Sequence, residues 1–143
     1  MKEKYGIDHA INYTTHSNWA AEVQRITHGK GADHIIESSG VGTIGQSLKS
    51  VARAGVISII GFLTPHPSEM PDLTMGILYA GCVVRGVQGG SKQQLEELVR
   101  FVGERGLVMP VEKTFPFTKE AVVEALGYLA SGKHVGKVCI KLD

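Results

Sequence analysis

Between Gly55 and Gly61 the chain runs Val56-Ile57-Ser58-Ile59-Ile60, an apolar stretch broken by a single serine. Alternating apolar and polar residues would mark a strand with one wet face. A near-continuous β-branched run instead marks a strand buried on both faces, as in a parallel sheet covered by helices on each side. Parallel strands cannot be joined by tight hairpins, so such a run requires crossover connections, and these are usually helices.

The rest of the chain alternates in that way. His9–Tyr13, His34–Ser38, Val56–Gly61, Cys82–Val87 and Val135–Leu142 read as strands, with Pro110–Pro116 extended. The first helix is expected to open at Ser17 or Asn18 and to place Trp19, Val23 and Ile26 on one face, with Gly29-Lys30-Gly31 ending it. Thr43 and Gln46 have the spacing of a capping box heading a helix that buries Ile44, Leu48 and Val51, with Gly55 expected at its C-cap. A short helix is expected over Leu73–Tyr79. A second capping box, Ser91 and Gln94, heads a helix whose inward stripe is Leu95, Leu98, Val99 and Val102. Thr118 should cap a last helix that turns Val122, Ala125, Leu126 and Leu129 inward. The segment holding Pro65, Pro67 and Pro71 can be neither helix nor central strand. This order defines an α/β protein with a mostly parallel sheet.

Composition excludes several classes of function. Of 143 residues, 43% are apolar and 20% charged, which suits a folded domain and not a disordered tail. Fifteen Lys and Arg against fourteen Asp and Glu give a net charge of +1, which argues against nucleic acid or an anionic membrane as the main partner. No apolar run reaches the roughly 18–20 residues of a membrane helix. Cys82 and Cys139 are far apart and lack metal or redox spacing, so a reduced, cytoplasmic setting is expected. Glycine accounts for 18 of 143 residues, against roughly 7% in average proteins, which suits many tight strand–helix junctions.

One junction carries a motif. Gly40-Val41-Gly42-Thr43-Ile44-Gly45 matches G-x-G-x-x-G after a strand and before a helix, the setting of a dinucleotide pyrophosphate loop. The acidic residue that should end the next strand is missing, because that strand ends Ile59-Ile60-Gly61-Phe62-Leu63. Glu37 just before the motif would also repel a pyrophosphate. The expected reading is therefore a glycine-rich junction in the same kind of sheet. The strand ends Ser38-Ser39-Gly40, Gly61-Phe62-Leu63 and Val87-Gln88-Gly89-Gly90-Ser91 are more telling together, since ligands of open α/β sheets sit outside the carboxyl ends of the strands. The six histidines have no metal-ligand spacing, and neither a Tyr-x-x-x-Lys relay nor a G-x-S-x-G elbow occurs. Tyr13, Ser38, Ser39, Arg85 and Lys137 read as structural or ligand-positioning residues, Trp19 reads as core, and no catalytic or metal-binding residue is expected.

The stretches Gly6–Tyr13, Trp19 with Val23, Gly31–Glu37, Gly42–Leu48, Gly61–Leu63, Arg85–Val87, Gly90-Ser91 and Ser131–Val138 together resemble the medium-chain dehydrogenase/reductase family, the zinc-type alcohol dehydrogenases and quinone oxidoreductases. The resemblance implies a partial Rossmann-type, doubly wound sheet of strand order 3-2-1-4-5-6 that lacks its first two strands. Residues 1–109 would hold strands 3 to 6, and 110–143 would return towards the catalytic domain. The pyrophosphate loop and any zinc ligands would lie outside this chain, and Met1–Gly6 would be the tail of a helix whose beginning is missing.

The cofactor implied is NAD(P), with NADP preferred, acting on a small alcohol, carbonyl or quinone substrate. Tyr13 would lie near the adenosine end, and Ser39 and Gly40 near the nicotinamide ribose. Gly61, Phe62 and Leu63 would line the nicotinamide side with Gly89, Gly90 and Ser91 nearby, and Lys137 would face the phosphates. Strand 82–87 would be the edge through which two copies pair. The chain would be inactive alone, and without strands 1 and 2 it would rearrange, swap elements with a copy or be marginally folded. The alternative is a self-contained nucleotide-binding or dimerisation module without catalysis.

Overall fold

The computed structural model describes residues 5–63 and 71–142. It divides into two compact units, Met1–Gly90 and Ser91–Asp143, each treated by itself below. In the first, helix α1 (Trp19–Ile26) leads to β1 (Ala32–Glu37), and a 3₁₀ turn (Gly40–Gly42) leads to α2 (Ile44–Ser50). Strand β2 (Val51–Ile59), α3 (Leu73–Ala80) and β3 (Val83–Gly86) follow. The strands form a parallel sheet in the order β1-β2-β3, the neighbour order expected for strands 4, 5 and 6.

The core is built on β2. Ile57 is fully buried, flanked in register by Ile35 and Val84, and it meets Ile44, Leu48 and Val51. Ile57 and Ser58 point to opposite faces of the strand, and both are buried, as the apolar run requires. Ser58 accepts a hydrogen bond from Arg85 Nε at 2.9 Å across the sheet. α2 packs on β1 and β2, α3 packs on α2 and β2, and α1 packs on α2. Asn18 caps α1 through its side chain, and Asp72 caps α3.

Several expectations are corrected. His9–Tyr13 is not a strand: no other strand among the described residues offers it a ladder, and Asn12 enters a local turn instead. Asn12 Oδ1 accepts from Thr14 N–H at 2.9 Å, and Asn12 O accepts from His16 N–H at 2.9 Å. Gly55 does not cap α2. The helix ends at Ser50, Val51 is already extended, and the register jumps from Ala32↔Val51 to His34↔Val56. Gly55 lies inside the resulting bulge, where a Cβ would stand 2.8 Å from Val51 Cγ2. Of the expected opening helix tail only its end is described: Tyr5 is helical and Gly6 has φ +63°. Pro65 and Pro67 lie outside the described residues.

The second unit contains α4 (Lys92–Glu104), β4 (Val111–Pro116), α5 (Lys119–Ala130) and β5 (Lys137–Lys141). β4 and β5 form a two-stranded parallel sheet against which α5 packs. α4 belongs to this unit. Ser91 and Gln94 form the expected reciprocal capping box, and Thr118 caps α5. Phe115 and Ala125 are buried, but Leu126 and Leu129 are exposed, as are Leu95, Leu98 and Val99 of the stripe expected to face inward on α4. Two strands offer too little surface to cover two apolar helix stripes.

Candidate functional site

An open cavity of about 690 Å³ lies in the first unit where β1 ends. Ile35 and Ile36 of β1 line it together with Trp19, while Ile11 and Tyr13 come from the segment before α1. Ser38, Ser39 and Thr43 add polar groups to its lining, with Gln46 and Ser47 of α2. Gln46 fixes the segment before α1 against α2: its Oε1 accepts from Ala20 N–H at 3.0 Å, and its Nε2 donates to Ser17 O at 2.9 Å. The capping box expected of Thr43 and Gln46 is therefore absent. Gln46 is committed to α1, and Thr43 makes no side-chain cap.

Thr43 turns instead to Glu37, which organises the junction and is only 4% exposed. Glu37 Oε1 accepts from Ser39 N–H at 2.9 Å, Gly40 N–H at 3.0 Å and Thr43 Oγ1 at 2.6 Å, and Oε2 accepts from Ser47 Oγ at 2.5 Å. Burial pushes its pKa up, but the hydrogen bonds from Ser47, Thr43, Gly40 and Ser39 outweigh burial and hold it below the ordinary 4.5. Because the folded-state value is the lower one, the stability this carboxylate contributes is complete above its unfolded pKa and is lost as pH falls through its folded pKa. Thermal melts should therefore lose more Tm on acidification from about pH 6 to about pH 3 in the wild-type chain than in Glu37→Gln. Equal losses would refute the assignment.

The candidate residues fall into two groups. Gly40 has φ +82°, and a Cβ there would stand 3.1 Å from Phe62 Cα; a Cβ on Gly61 would stand 2.6 Å from Ser38 O. Ile60 N–H donates to Glu37 O at 2.9 Å and Leu63 N–H to Ser38 O at 3.4 Å, so Ser39-Gly40 and Gly61-Phe62-Leu63 make one backbone ledge. Phe62 and Leu63 extend from it almost fully exposed, at 88% and 80%. Tyr13, 76% exposed, stands at the cavity. Gly89 and Gly90 follow β3, whose end is tied to β2 by Val87 N–H donating to Ile59 O at 2.8 Å. Ser91 and Lys137 belong to the second unit, where Ser91 is the helix cap and Lys137 N–H donates to Pro110 O at 2.8 Å.

Sequence reasoning missed three contributors. Trp19, read as core, lines the cavity; Gln46 joins two helices; and Glu37 gathers donors at positions +2, +3, +6 and +10. That last spacing is visible in Glu37-Ser38-Ser39-Gly40 followed by Thr43 and Ser47. Cys82 and Cys139 are free thiols, and burial pushes the Cys82 thiol up. Among the described residues no group of three His, Cys, Asp or Glu side chains converges as metal ligands, and no helix is long and apolar enough to cross a membrane.

Parallel strands with crossover helices, and a cavity at the carboxyl end of β1, define a Rossmann-type α/β unit. Residues 1–104 match the family model described as zinc-binding dehydrogenase, and the chain belongs to that family. It is 35% identical over 144 residues to a zinc-type alcohol dehydrogenase-like protein of Schizosaccharomyces pombe, covering 99% of this chain and 41% of the relative. It is 33% identical to an L-threonine 3-dehydrogenase of Symbiobacterium thermophilum, covering 91% of this chain and 38% of that one. The crystal structure of an NAD-dependent alcohol dehydrogenase superposes with a TM-score of 0.82 at 30% identity, covering 99% of this chain and 40% of that one. The chain thus spans about two fifths of the length of these relatives.

Proposed function

We propose that this chain supplies part of the nicotinamide-nucleotide seat of an alcohol dehydrogenase- or quinone reductase-like oxidoreductase. The observation that carries this reading is the ledge of Ser39-Gly40 against Gly61-Phe62-Leu63 beside the Trp19–Ile36 cavity, in a chain of the zinc-binding dehydrogenase family. A cavity of about 690 Å³ lined by apolar side chains together with serine and threonine suits a ring and its ribose. The nicotinamide supplies the hydride chemistry when bound; the chain's part is to bind and orient it. NADP is the form we assign, with a small alcohol, carbonyl or quinone as the substrate of the complete enzyme.

The test is NADPH, and in parallel NADH, titrated into the ¹⁵N-labelled chain. Amide shifts at Ser39, Gly40, Phe62, Leu63 and Gly89 are expected with millimolar affinity, about −4 kcal/mol, and with NADPH the tighter ligand. Shifts confined to other residues, or none, would overturn the reading. Micromolar binding, about −8 kcal/mol, would favour a self-contained nucleotide module instead.

We also propose that two copies pair through β3. It is an edge of its sheet, with Val83 exposed, and an unpaired strand edge is a template for another chain. Sedimentation should give a dimer that Val83→Lys converts to monomer. A wild-type monomer at high concentration would remove this proposal.

A further inference from the structure

The fingerprint-like turn Gly40–Gly45 is left unexplained by that reading, and its chemistry is settled by what already occupies it. Its donors converge on one point: two backbone N–H groups, of Ser39 and Gly40, and two hydroxyls, of Thr43 and Ser47. All four bond to the carboxylate of Glu37, which is almost wholly buried. Donors of this kind, around a glycine with positive φ, are what a phosphate oxygen uses in a pyrophosphate loop. Here a covalently attached anion uses them. A second anion brought to the same turn would find these donors engaged and a fixed negative charge beside it.

We propose that Glu37 is a specificity-determining residue: its carboxylate is the resident anion of the Ser38–Ser47 turn, so this strand end rejects phosphate and receives an uncharged part of the nucleotide. The turn then fixes the direction in which a dinucleotide can lie across the sheet, with a ribose rather than the pyrophosphate over Ser39 and Gly40. The claim about phosphate stands on the Glu37 geometry alone; its consequence for orientation rests on the nucleotide reading above.

Inorganic phosphate is the probe, with chloride at matched ionic strength as control. In the wild-type chain the Ser39 and Gly40 amide resonances should not respond to phosphate up to about 50 mM, a level that would reveal the millimolar affinities of weak anion sites. In Glu37→Ala the same amides should shift on adding phosphate, with an apparent affinity at least tenfold above that of the wild-type chain. The variant's lowered Tm should recover in part with phosphate but not with chloride. Phosphate also strengthens burial in any folded protein, so the recovery counts only as the excess over the Tm gain that the same phosphate gives the wild-type chain.

Should Glu37→Ala fail to fold, the wild-type chain still decides the matter. The Ser39 and Gly40 amides should titrate with the Glu37 carboxyl on acidification, and at neutral pH, where that carboxyl is ionised, they should ignore added phosphate. A phosphate response of these amides at neutral pH would overturn the proposal. Because phosphate and nucleotide are titrated separately, failure here leaves the nucleotide reading standing, and failure of nucleotide binding leaves this one standing.

Discussion

Replacing Ile57 by alanine should lower the unfolding free energy by about 4–5 kcal/mol, the upper part of the range for buried isoleucine. Ile57 is 0% exposed and sits in the middle strand, with Ile35 and Val84 beside it in register. Above it lie Ile44 and Leu48 of α2. Strands on both sides cannot move inward without breaking the ladder, and α2 is pinned at its first turn by the Gln46 bonds to Ala20 and Ser17. The cavity left behind therefore has little room to collapse, and the penalty grows with what stays open. Urea denaturation with an unchanged m-value is the measurement. A loss below about 1 kcal/mol would mean that β2 is not the packing centre.

Gly31→Ala should be of comparable size, for a different reason. Gly31 has φ +81°, and an added Cβ would lie 2.7 Å from Ser50 O and 2.8 Å from Ala52 N. The left-handed backbone accounts for about 1–2 kcal/mol, and forcing an atom between β1 and the end of α2 adds about 1–3 kcal/mol. Gly29→Ala separates the two terms, because Gly29 has φ +82° but nothing within 4 Å of the added atom. The difference between the two variants reads the steric part alone. Equal destabilisation would show that the contact between Gly31 and the Ser50–Ala52 backbone carries no energy.

Elements with strong local signals were legible from the sequence. The β2 run, the Ser91–Gln94 capping box and the α3 helix over Leu73–Ala80 come from side-chain patterns that operate within a few residues. The strand expected at His9–Tyr13 failed because a strand needs a neighbour, while Asn12 could satisfy a turn at once. Thr43 and Gln46 failed as a capping box because each found a better partner far along the chain: Glu37 is six residues away, and Ala20 is twenty-six. The helices α4 and α5 were legible, but their stripes were not inward: Leu95, Leu98, Val99, Leu126 and Leu129 are exposed, because periodicity does not specify whether a surface exists to cover them. At the site, strand-end glycines could be read from Rossmann logic, whereas the Glu37 hub required knowing that β1 ends with its side chain turned under the following turn.

Gln46 also shapes how the chain breathes. The first N–H groups of any helix lack partners within it, so they normally exchange with solvent on the fast timescale of end fraying. Ala20 N–H belongs to the first turn of α1, yet it donates to a side chain on α2. Its exchange should therefore be slower than that of an ordinary first-turn amide and should follow the separation of α1 from α2. In a hydrogen-exchange series Ala20 becomes a reporter of when α1 parts from α2.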